Sequence, residues 1–305
     1  MTLPIPENRV NNEIREKIDS LLARLADCDI CPRQCHVDRY SDAGGICGMG
    51  AGLWVSSANL HFGEEPPLSG TRGSGTIFLT GCNLKCCYCQ NYPISQMHHG
   101  RELSLDEFIE TMLGLERRGA HNINFVTPTH YSAQISEAIL GARNRGLRVP
   151  IVWNSSGYDR VDVLRSLEGL IEIYLPDMRY ADSGNADCYS SAPDYPEINR
   201  AAIKEMFRQV GNLEMDDHGA AKRGLIIRHL VMPDFVTGTR EILRFIADEI
   251  SRDCAVSLMS QYFPAHKAFE NDTISRRITS KEYNQAVAWM TEFGLENGWS
   301  QNEEL

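Results

Sequence analysis

The chain has 305 residues, which is enough for one large α/β domain with a small appendage and for a core that needs no disulfides. Its formal net charge of −11 argues against nucleic acid as a partner, because neutralising phosphates requires clustered Lys and Arg. No apolar run of about 18 residues occurs, so we expect neither a membrane span nor a membrane partner.

The ten cysteines are unevenly placed along the chain. Four lie between Cys28 and Cys47, and four lie between Cys82 and Cys89. The first residues lack a basic segment followed by an apolar one, so we expect no secretory signal and a cytoplasmic protein. Because the cytosol keeps thiols reduced, clustered cysteines in such a protein indicate metal ligands more than disulfides.

The first 73 residues are predicted to form a small N-terminal module, and residues 74–305 the main domain. Residues 12–26 have the pattern of a short amphipathic helix. Residues 28–73 are rich in Cys, Gly and Pro and show no long periodicity, which is typical of a segment ordered by a metal or a cluster.

Four thiolates of this module could ligate a metal together. They are Cys28, Cys31, Cys35 and Cys47. Four sulfurs suit a closed tetrahedral zinc site or a fully ligated iron–sulfur cluster, and the spacing does not decide between the two. His36 is an alternative ligand, and a module that packs without metal is a third interpretation.

From residue 74 onward, apolar strands alternate with amphipathic helices. Strands are predicted at GTIFLT (75–80), NINFV (122–126), PIVWN (150–154), LIEIYL (170–175), GLIIRHLV (224–231) and AVSLMS (255–260). Helices are predicted over 104–119, 132–146, 159–167, 195–211 and 239–251, and from Thr279. Ser104 with Glu107, and Thr279 with Glu282, have the spacing of capping boxes. Strict alternation of this kind predicts a parallel sheet, either open or curved into part of a barrel.

Polar residues follow most of these strands, where parallel sheets carry their functional sites. They are Gly81–Cys82, Thr127–His130, Asn154–Ser156, Pro176–Asp177, His229 and Gln261–Tyr262. We therefore expect the site at the carboxyl ends of the strands. His130, His229 and His266 fall near these ends, although a lone histidine is more often structural than catalytic.

The second cysteine group follows the first predicted strand directly, as Cys82-x3-Cys86-x2-Cys89. Three thiolates leave one iron of a four-iron cluster without a protein ligand, and an open metal position is where chemistry can occur. Cys87 is predicted not to be the fourth ligand, because neighbouring residues point in different directions in most loops. A structural zinc loop, or thiols that merely pack, is the alternative interpretation.

This cysteine spacing after the first strand, with Tyr88 before the last cysteine, resembles the radical S-adenosylmethionine (SAM) superfamily. Further segments resemble its uncharacterised subgroup that is similar to pyruvate formate-lyase activating enzyme. They are GTIFLTGCNLKCCYCQNYPIS, NINFVTPTHY, VWNSSGY, YLPDMRY, IRHLVMP and LMSQYFPAHK. The resemblance implies a partial (β/α)6 barrel with a C-terminal helix, and a [4Fe–4S] cluster on the three cysteines. It also implies an oxidoreductase in which the reduced cluster cleaves SAM to a 5′-deoxyadenosyl radical that abstracts hydrogen from a substrate.

The same resemblance assigns six residues to SAM. They are Tyr88, Thr127, Asn154, Ser156, Asp177 and Arg179. Tyr88 is expected near the adenine and Thr127 near the methionine amino group, at the position where the superfamily commonly has Gly-Gly-Glu. The segment from Asn154 resembles the Asp-Thr-Asn-Gly of activating enzymes, and Asp177-x-Arg179 resembles Asp-x-Lys, with a guanidinium in place of the ammonium. These residues are expected near the ribose and the carboxylate.

The resulting hypothesis is a radical SAM enzyme whose substrate the sequence does not name. A protein glycine, another peptide and a small metabolite are the candidates, and an electron donor such as flavodoxin or ferredoxin is the expected partner. The alternative is an iron–sulfur electron carrier or sensor that does not turn over SAM, and a zinc-stabilised structural protein is a third class. The polar strand ends favour the enzyme, because a carrier needs only a cluster and a docking face.

Overall fold

The structure, a computed structural model, describes residues 7–41 and 44–301, with side chains from residue 12 onward. Its strands form one ten-stranded sheet. They are β1 (Leu53–His61), β2 (Ser74–Leu79), β3 (Arg101–Leu103), β4 (Ile123–Val126), β5 (Ile151–Asn154), β6 (Ile173–Tyr174), β7 (Glu214–Met215), β8 (Ala221–Leu230), β9 (Ala255–Met259) and β10 (Gly298–Ser300).

The sheet is open and mostly parallel. Its order is β10-β9-β8-β6-β5-β4-β2-β1-β3, and β7 pairs with β8 outside this path. The six predicted strands correspond to β2, β4, β5, β6, β8 and β9, and all of them pair in parallel. The predicted α/β fold of partial-barrel type is therefore confirmed.

Helices connect these strands, as parallel crossovers require. They are α1 (Glu7–Ala23), α2 (Pro66–Ser69), α3 (Tyr92–Ser95), α4 (Leu105–Arg117), α5 (Ser132–Asn144), α6 (Val161–Ser166), α7 (Ser183–Ser190), α8 (Tyr195–Val210), α9 (Thr239–Phe245) and α10 (Ser280–Glu292). The predicted capping boxes start α4 and α10, with Ser104 and Thr279 as the capping residues. Among the described residues, no helix has the length and apolar character needed to cross a membrane.

The sequence did not predict β1, and this strand extends the sheet. It pairs antiparallel with β2 from Val55 to His61 and with β3 from Leu53 to Val55. The sheet thus includes residues on both sides of the boundary predicted between residues 73 and 74. The division into a module of residues 1–73 and a domain of residues 74–305 stays a prediction. Only Leu53 and Val55 of β1 are buried, so the strand lacks the long alternation that would identify it.

The core lies between the sheet and the helices that cover it. Ile77, Phe125, Trp153, Ile227 and Val256 come from five different parallel strands, and each is completely buried. Complete burial of a side chain of this size contributes about 1.5–3 kcal/mol, so these residues hold the strands at fixed positions. Rigid strands in turn give the loops at their carboxyl ends a defined geometry.

Two arginines attach the N-terminal module to the sheet. The Arg39 side chain is buried and donates hydrogen bonds to the carbonyl oxygens of His130 (2.5 Å) and Met49 (3.0 Å). The Arg33 side chain donates to the carbonyl oxygens of Asn83 (2.8 Å) and Ser191 (2.5 Å). Since Asn83 follows Cys82 directly, Arg33 links the N-terminal cysteine segment to the second cysteine group.

A buried histidine makes the stability of the fold dependent on pH. The Nδ1–H of His229 donates to the Met178 carbonyl (2.7 Å), and its Nε2 accepts from the Thr239 hydroxyl (2.9 Å). Burial lowers the pKa of His229 from 6.5 to about 4. The unfolded chain therefore binds this proton more readily, so the stabilisation is complete above pH 6.5 and is lost as the pH falls toward 4. The full loss is about 3 kcal/mol.

We expect the His229→Gln variant to be less stable at pH 7.5 by about 1–3 kcal/mol, because a buried hydrogen bond is broken. The same variant should lose less additional stability than wild type between pH 6.5 and pH 4. Urea unfolding across this range measures both effects, with the exposed His99→Gln as the control. An acid dependence in His229→Gln as steep as that of wild type would contradict the assignment.

Candidate active site

The second cysteine group lies in the loop between β2 and α3, at the carboxyl end of the sheet. The chain turns at Gly81, whose φ of +78° is left-handed and favours glycine. A Cβ atom there would collide with the Met49 side chain and lie 3.0 Å from the Cys47 carbonyl oxygen. Glycine at this position therefore lets the N-terminal module pack directly behind the loop.

Hydrogen-bond donors surround the three thiols of this loop. Cys86 Sγ accepts from Arg179 Nη1 at 3.1 Å and from Ser190 Oγ at 3.0 Å. Cys82 Sγ accepts from the Leu84 N–H at 3.4 Å, and Cys89 Sγ lies 3.2 Å from Ser95 Oγ. Such donors stabilise sulfur that carries negative charge, as it does when it ligates a metal.

The thiols are also close enough to one another to interact electrostatically. Burial, followed by the neighbouring Cys86, raises the pKa of Cys82 to about 12. The same two causes raise the pKa of Cys89. Thiols whose pKa is raised by one another suit a ligand that brings positive charge, so the set fits an iron–sulfur cluster. The Cys87 N–H donates to the Tyr189 carbonyl and its carbonyl accepts from the Lys267 N–H, and that Cys87 is not the fourth ligand stays a prediction.

A cavity of about 400 Å³ opens beside this loop. Cys89 and Tyr88 line one side of it, and residues from the carboxyl ends of the strands line the rest. The polar residues of the lining include Glu64, Asn154, Asp177, Arg179, Arg228 and Gln261. This volume lies within the range of roughly 300–1,000 Å³ that small-molecule sites occupy.

A charged network forms the polar wall of the cavity. Asp177 accepts from Arg179 Nη2 at 2.6 Å and from Arg228 Nε at 2.9 Å. Arg179 continues to Cys86 Sγ, and Arg228 Nη2 donates to Asn154 Oδ1 at 2.5 Å. Burial raises the pKa of Asp177. The two neighbouring guanidinium groups lower it by more, so the pKa of this carboxyl lies below its usual range. Asp177 is thus held ionised between the two guanidinium groups, and Arg228 also lies near the carboxyl groups of Glu64 and Glu65.

The structure brings four of the six predicted SAM residues to the cavity: Tyr88, Asn154, Asp177 and Arg179. Thr127 and Ser156 do not line it. The Thr127 N–H donates to the Asn154 carbonyl at 2.9 Å. The preceding residue, Val126, lines the cavity in place of Thr127. The Ser156 side chain is buried, and its carbonyl accepts from the Tyr195 hydroxyl. The contacts of all six residues with SAM stay predictions.

Sequence reasoning missed a buried carboxylate that orders the strand ends. Asp159 accepts from the Ser155 hydroxyl at 2.7 Å and from the Thr129 hydroxyl at 2.8 Å. It thereby joins the loops that follow β4 and β5. Asp159 stands four residues after Ser155, within VWNSSGYDR, and this closeness in sequence could have indicated the contact. No pattern in the sequence shows that Asp159 is buried.

Two further residues of the cavity were missed because β1 was missed. His61 ends β1, and its Nδ1 lies 3.2 Å from Glu64 Oε1. Both side chains line the cavity, and the Glu64 side chain is almost completely buried. Burial raises the pKa of Glu64 above its usual value.

The three predicted strand-end histidines lie outside this cavity. His130 Nε2–H donates to the Thr80 carbonyl at 2.8 Å, and burial lowers its pKa to about 3. His229 has the structural bonds given above, and His266 stacks on Tyr92 with ring centres 4.7 Å apart. All three therefore have structural contacts.

The four N-terminal cysteines come together around a separate, small cavity. Cys28, Cys31 and Cys47 are buried, and Cys35 is partly exposed. The predicted alternative ligand His36 is exposed and pairs with Asp27 at 3.0 Å, so it does not reach this cavity. All ten cysteines belong to the described residues, and none forms a disulfide.

Comparison with known families and proteins agrees with this geometry. The model of the Radical SAM superfamily matches residues 76–176, which run from β2 past β6. Uncharacterized protein MJ0674 of Methanocaldococcus jannaschii is 29% identical over 282 residues, covering 88% of this chain and 76% of that protein. Uncharacterized protein MJ0808 of the same organism is 24% identical over 273 residues, covering 83% of this chain and 74% of that protein.

Solved structures share the fold. The [FeFe]-hydrogenase maturase HydG from Carboxydothermus hydrogenoformans has a TM-score of 0.52 and 14% identity, over 95% of this chain and 66% of that one. A second HydG crystal structure has a TM-score of 0.53 and 11% identity, over 98% of this chain and 68% of that one. This chain thus spans about two thirds of HydG, and at these identities the likeness shows the fold alone. This chain is therefore similar to the radical SAM superfamily over the residues that carry the cysteine loop after β2, and it shares its open sheet with the HydG structures.

Proposed function

We propose that the protein cleaves SAM reductively and abstracts a hydrogen atom from a substrate bound in the large cavity. One observation carries the proposal: the loop of three cysteines and the network around Asp177 border the same cavity. When bound, a [4Fe–4S] cluster supplies the electron that cleaves SAM to methionine and a 5′-deoxyadenosyl radical.

Cys82, Cys86 and Cys89 would hold the cluster, and the fourth iron would be left for SAM. Arg179 and Ser190 donate to Cys86 Sγ, so these two residues would stabilise the charge on the ligating sulfur. Because Arg179 also bonds to Asp177, it couples the cluster loop to the wall where SAM would bind.

The charged wall suits the methionine part and the ribose of SAM. Asp177 holds Arg179 and Arg228 in place, and these guanidinium groups would donate to the SAM carboxylate. Asn154 would contact the ribose, and Tyr88, whose hydroxyl accepts from Tyr180 at 2.8 Å, would lie near the adenine. Phe78, Leu230, Met232 and Met259 add apolar surface to the lining, which would help to exclude water from a radical.

The proposal also includes a class of substrate and an electron donor. Resemblance to activating enzymes in the sequence supports a protein glycine or another peptide as the hydrogen donor. A flavodoxin or ferredoxin in a reducing cytoplasm would supply electrons. We also propose that the N-terminal cysteines hold a metal cofactor of their own, either zinc or an iron–sulfur cluster, because all four line one cavity.

Replacing Cys82, Cys86 and Cys89 with Ala should abolish SAM cleavage, because no cluster can form at the loop. Anaerobic incubation with dithionite and SAM, followed by chromatography of 5′-deoxyadenosine, measures this activity. The exposed Cys188→Ala is the control and should cleave SAM at the wild-type rate. Wild-type cleavage by the triple variant would show that the assignment is wrong.

The Asp177→Asn substitution should weaken SAM binding at least tenfold and should lower the iron content much less. The neutral amide keeps the shape but removes the charge that orients both arginines, and loss of a buried charged partner costs roughly 1.5–3 kcal/mol. Equilibrium dialysis with labelled SAM and iron analysis measure the two effects. Asp162→Asn, on the half-exposed surface of α6, is the matched control. Unchanged affinity would place SAM elsewhere.

Deuterium should move from substrate into 5′-deoxyadenosine if the radical abstracts hydrogen. Extract of cells grown in deuterated medium, separated into protein and small-molecule fractions, provides the unidentified substrate. Mass spectrometry of 5′-deoxyadenosine should then show deuterium with one fraction, and a protein fraction would support the peptide substrate. A protein with its cluster in place that makes no 5′-deoxyadenosine at all would instead support an electron carrier.

A further inference from the structure

The small N-terminal cavity is built almost entirely from thiols and apolar groups. Its lining comprises Cys28, Cys31, Cys35 and Cys47 together with Ile30, Val37, Gly44, Gly45, Arg39 and His130. The four sulfurs therefore face an enclosed space with few competing polar groups, which is the environment of a buried metal–thiolate centre.

The backbone near Cys35 is shaped to approach its sulfur. The Ile46 N–H donates to Cys35 Sγ at 3.3 Å. Gly45, with a φ of +77°, lies so close that an added Cβ would be 3.0 Å from the same sulfur. Glycine thus allows backbone contact with Cys35, and N–H donors to sulfur stabilise thiolates that ligate metals.

A buried cation without a carboxylate partner borders the cavity. Arg39 is 2% exposed, and its described partners are backbone carbonyl oxygens and the Cys28 sulfur, at 4.0 Å. Among the described side chains of residues 12–41 and 44–301, no acidic group forms an ion pair with it. Burying an unpaired charge is costly, so an anionic group in this cavity would offset the charge of Arg39. A centre of four thiolates around metal carries net negative charge.

His130 adds an unpartnered atom to the same lining. The side chain is 1% exposed, and its Nε2–H is used by the Thr80 carbonyl. Its buried Nδ1 has no hydrogen-bond partner in the part of the chain that the structure describes. An orphaned nitrogen beside four thiols is a further sign that the cavity holds a ligand.

The arrangement of the thiols favours a cluster over a single ion. Zinc takes four ligands at about 2.0–2.3 Å, which draws the sulfurs around one point. Among the described residues, no three Cys, His, Asp or Glu side chains are placed to hold a single metal ion. Cys82, Cys86 and Cys89 are likewise not placed around a single ion, and these are the cysteines that we propose hold a cluster. A cluster binds each thiolate at a different iron, so its ligands surround a space, as these four do.

We propose that Cys28, Cys31, Cys35 and Cys47 ligate a second, four-iron cluster that has no open iron. This inference rests on the proposal that the N-terminal cysteines hold a metal, and it identifies that metal as iron. Because every iron has a protein thiolate, this centre does not bind SAM.

The two cysteine groups share a wall, and this determines how the proposal is tested. The Cys47 carbonyl lies against Gly81, which precedes Cys82, and Arg33 bonds to the Asn83 carbonyl. Removing the N-terminal ligands would therefore also disturb the SAM cluster. The informative protein is the full chain with Cys82, Cys86 and Cys89 replaced by Ala, since its N-terminal module is intact.

This triple variant, purified anaerobically, is analysed for iron, sulfide and zinc and by Mössbauer spectroscopy. We expect about four iron and four sulfide per chain, half the wild-type content, with the signature of a [4Fe–4S] cluster. About one zinc per chain without iron would overturn the inference and leave the proposal of a metal site standing. Absence of both metals from a folded variant would overturn both.

Adding Cys31→Ala to the triple variant should remove most of the remaining iron. The buried Cys254→Ala, added in the same way, is the matched control, because Cys254 lies outside the cavity. Circular dichroism checks that each protein is folded. Full iron retention in the folded Cys31 variant would contradict the assignment.

Discussion

The geometry of the site depends on the buried ion network around Asp177. This carboxylate binds Arg179 and Arg228, which continue to Cys86 and Asn154. Leaving either charge buried alone would cost several kcal/mol, so the ends of β5, β6 and β8 and the cysteine loop are stable only in one mutual arrangement. The contacts that position the loop also form the charged wall of the cavity, so the same constraint shapes both parts of the site.

A second constraint comes from the N-terminal module, which forms the outer support of the cysteine loop. Arg39 donates to the His130 carbonyl, and the His130 ring donates to the Thr80 carbonyl at the end of β2. Gly81 then lets Met49 and Cys47 pack against the turn into Cys82. The module is therefore coupled to the loop through hydrogen bonds from the Arg39 and His130 side chains to backbone carbonyl oxygens. A cofactor that orders the module would also stiffen the loop.

Much of the fold could be predicted because local patterns correspond to local structure. The six parallel strands are short apolar runs, and both capping boxes follow from two residues three positions apart. The strand β1 could not be predicted in this way, since most of its side chains are half-exposed and its stability comes from pairing with β2 and β3. His61 and Glu64 were missed for the same reason, because a residue can be assigned to a site only after its strand has been placed.

The sequence by itself determined the three-thiol loop, the order of strands and helices, and the polar strand ends Asn154, Asp177 and Arg179, since each follows from residue type and spacing. Only the tertiary structure decided which polar residues face the cavity. Thr127 and Ser156 lie at the predicted edge, yet Val126 lines the cavity and Ser156 is buried beside Tyr195. The physical reason is that side-chain direction after a strand depends on backbone torsions, such as the φ of +60° at Thr127, and these are set by long-range contacts.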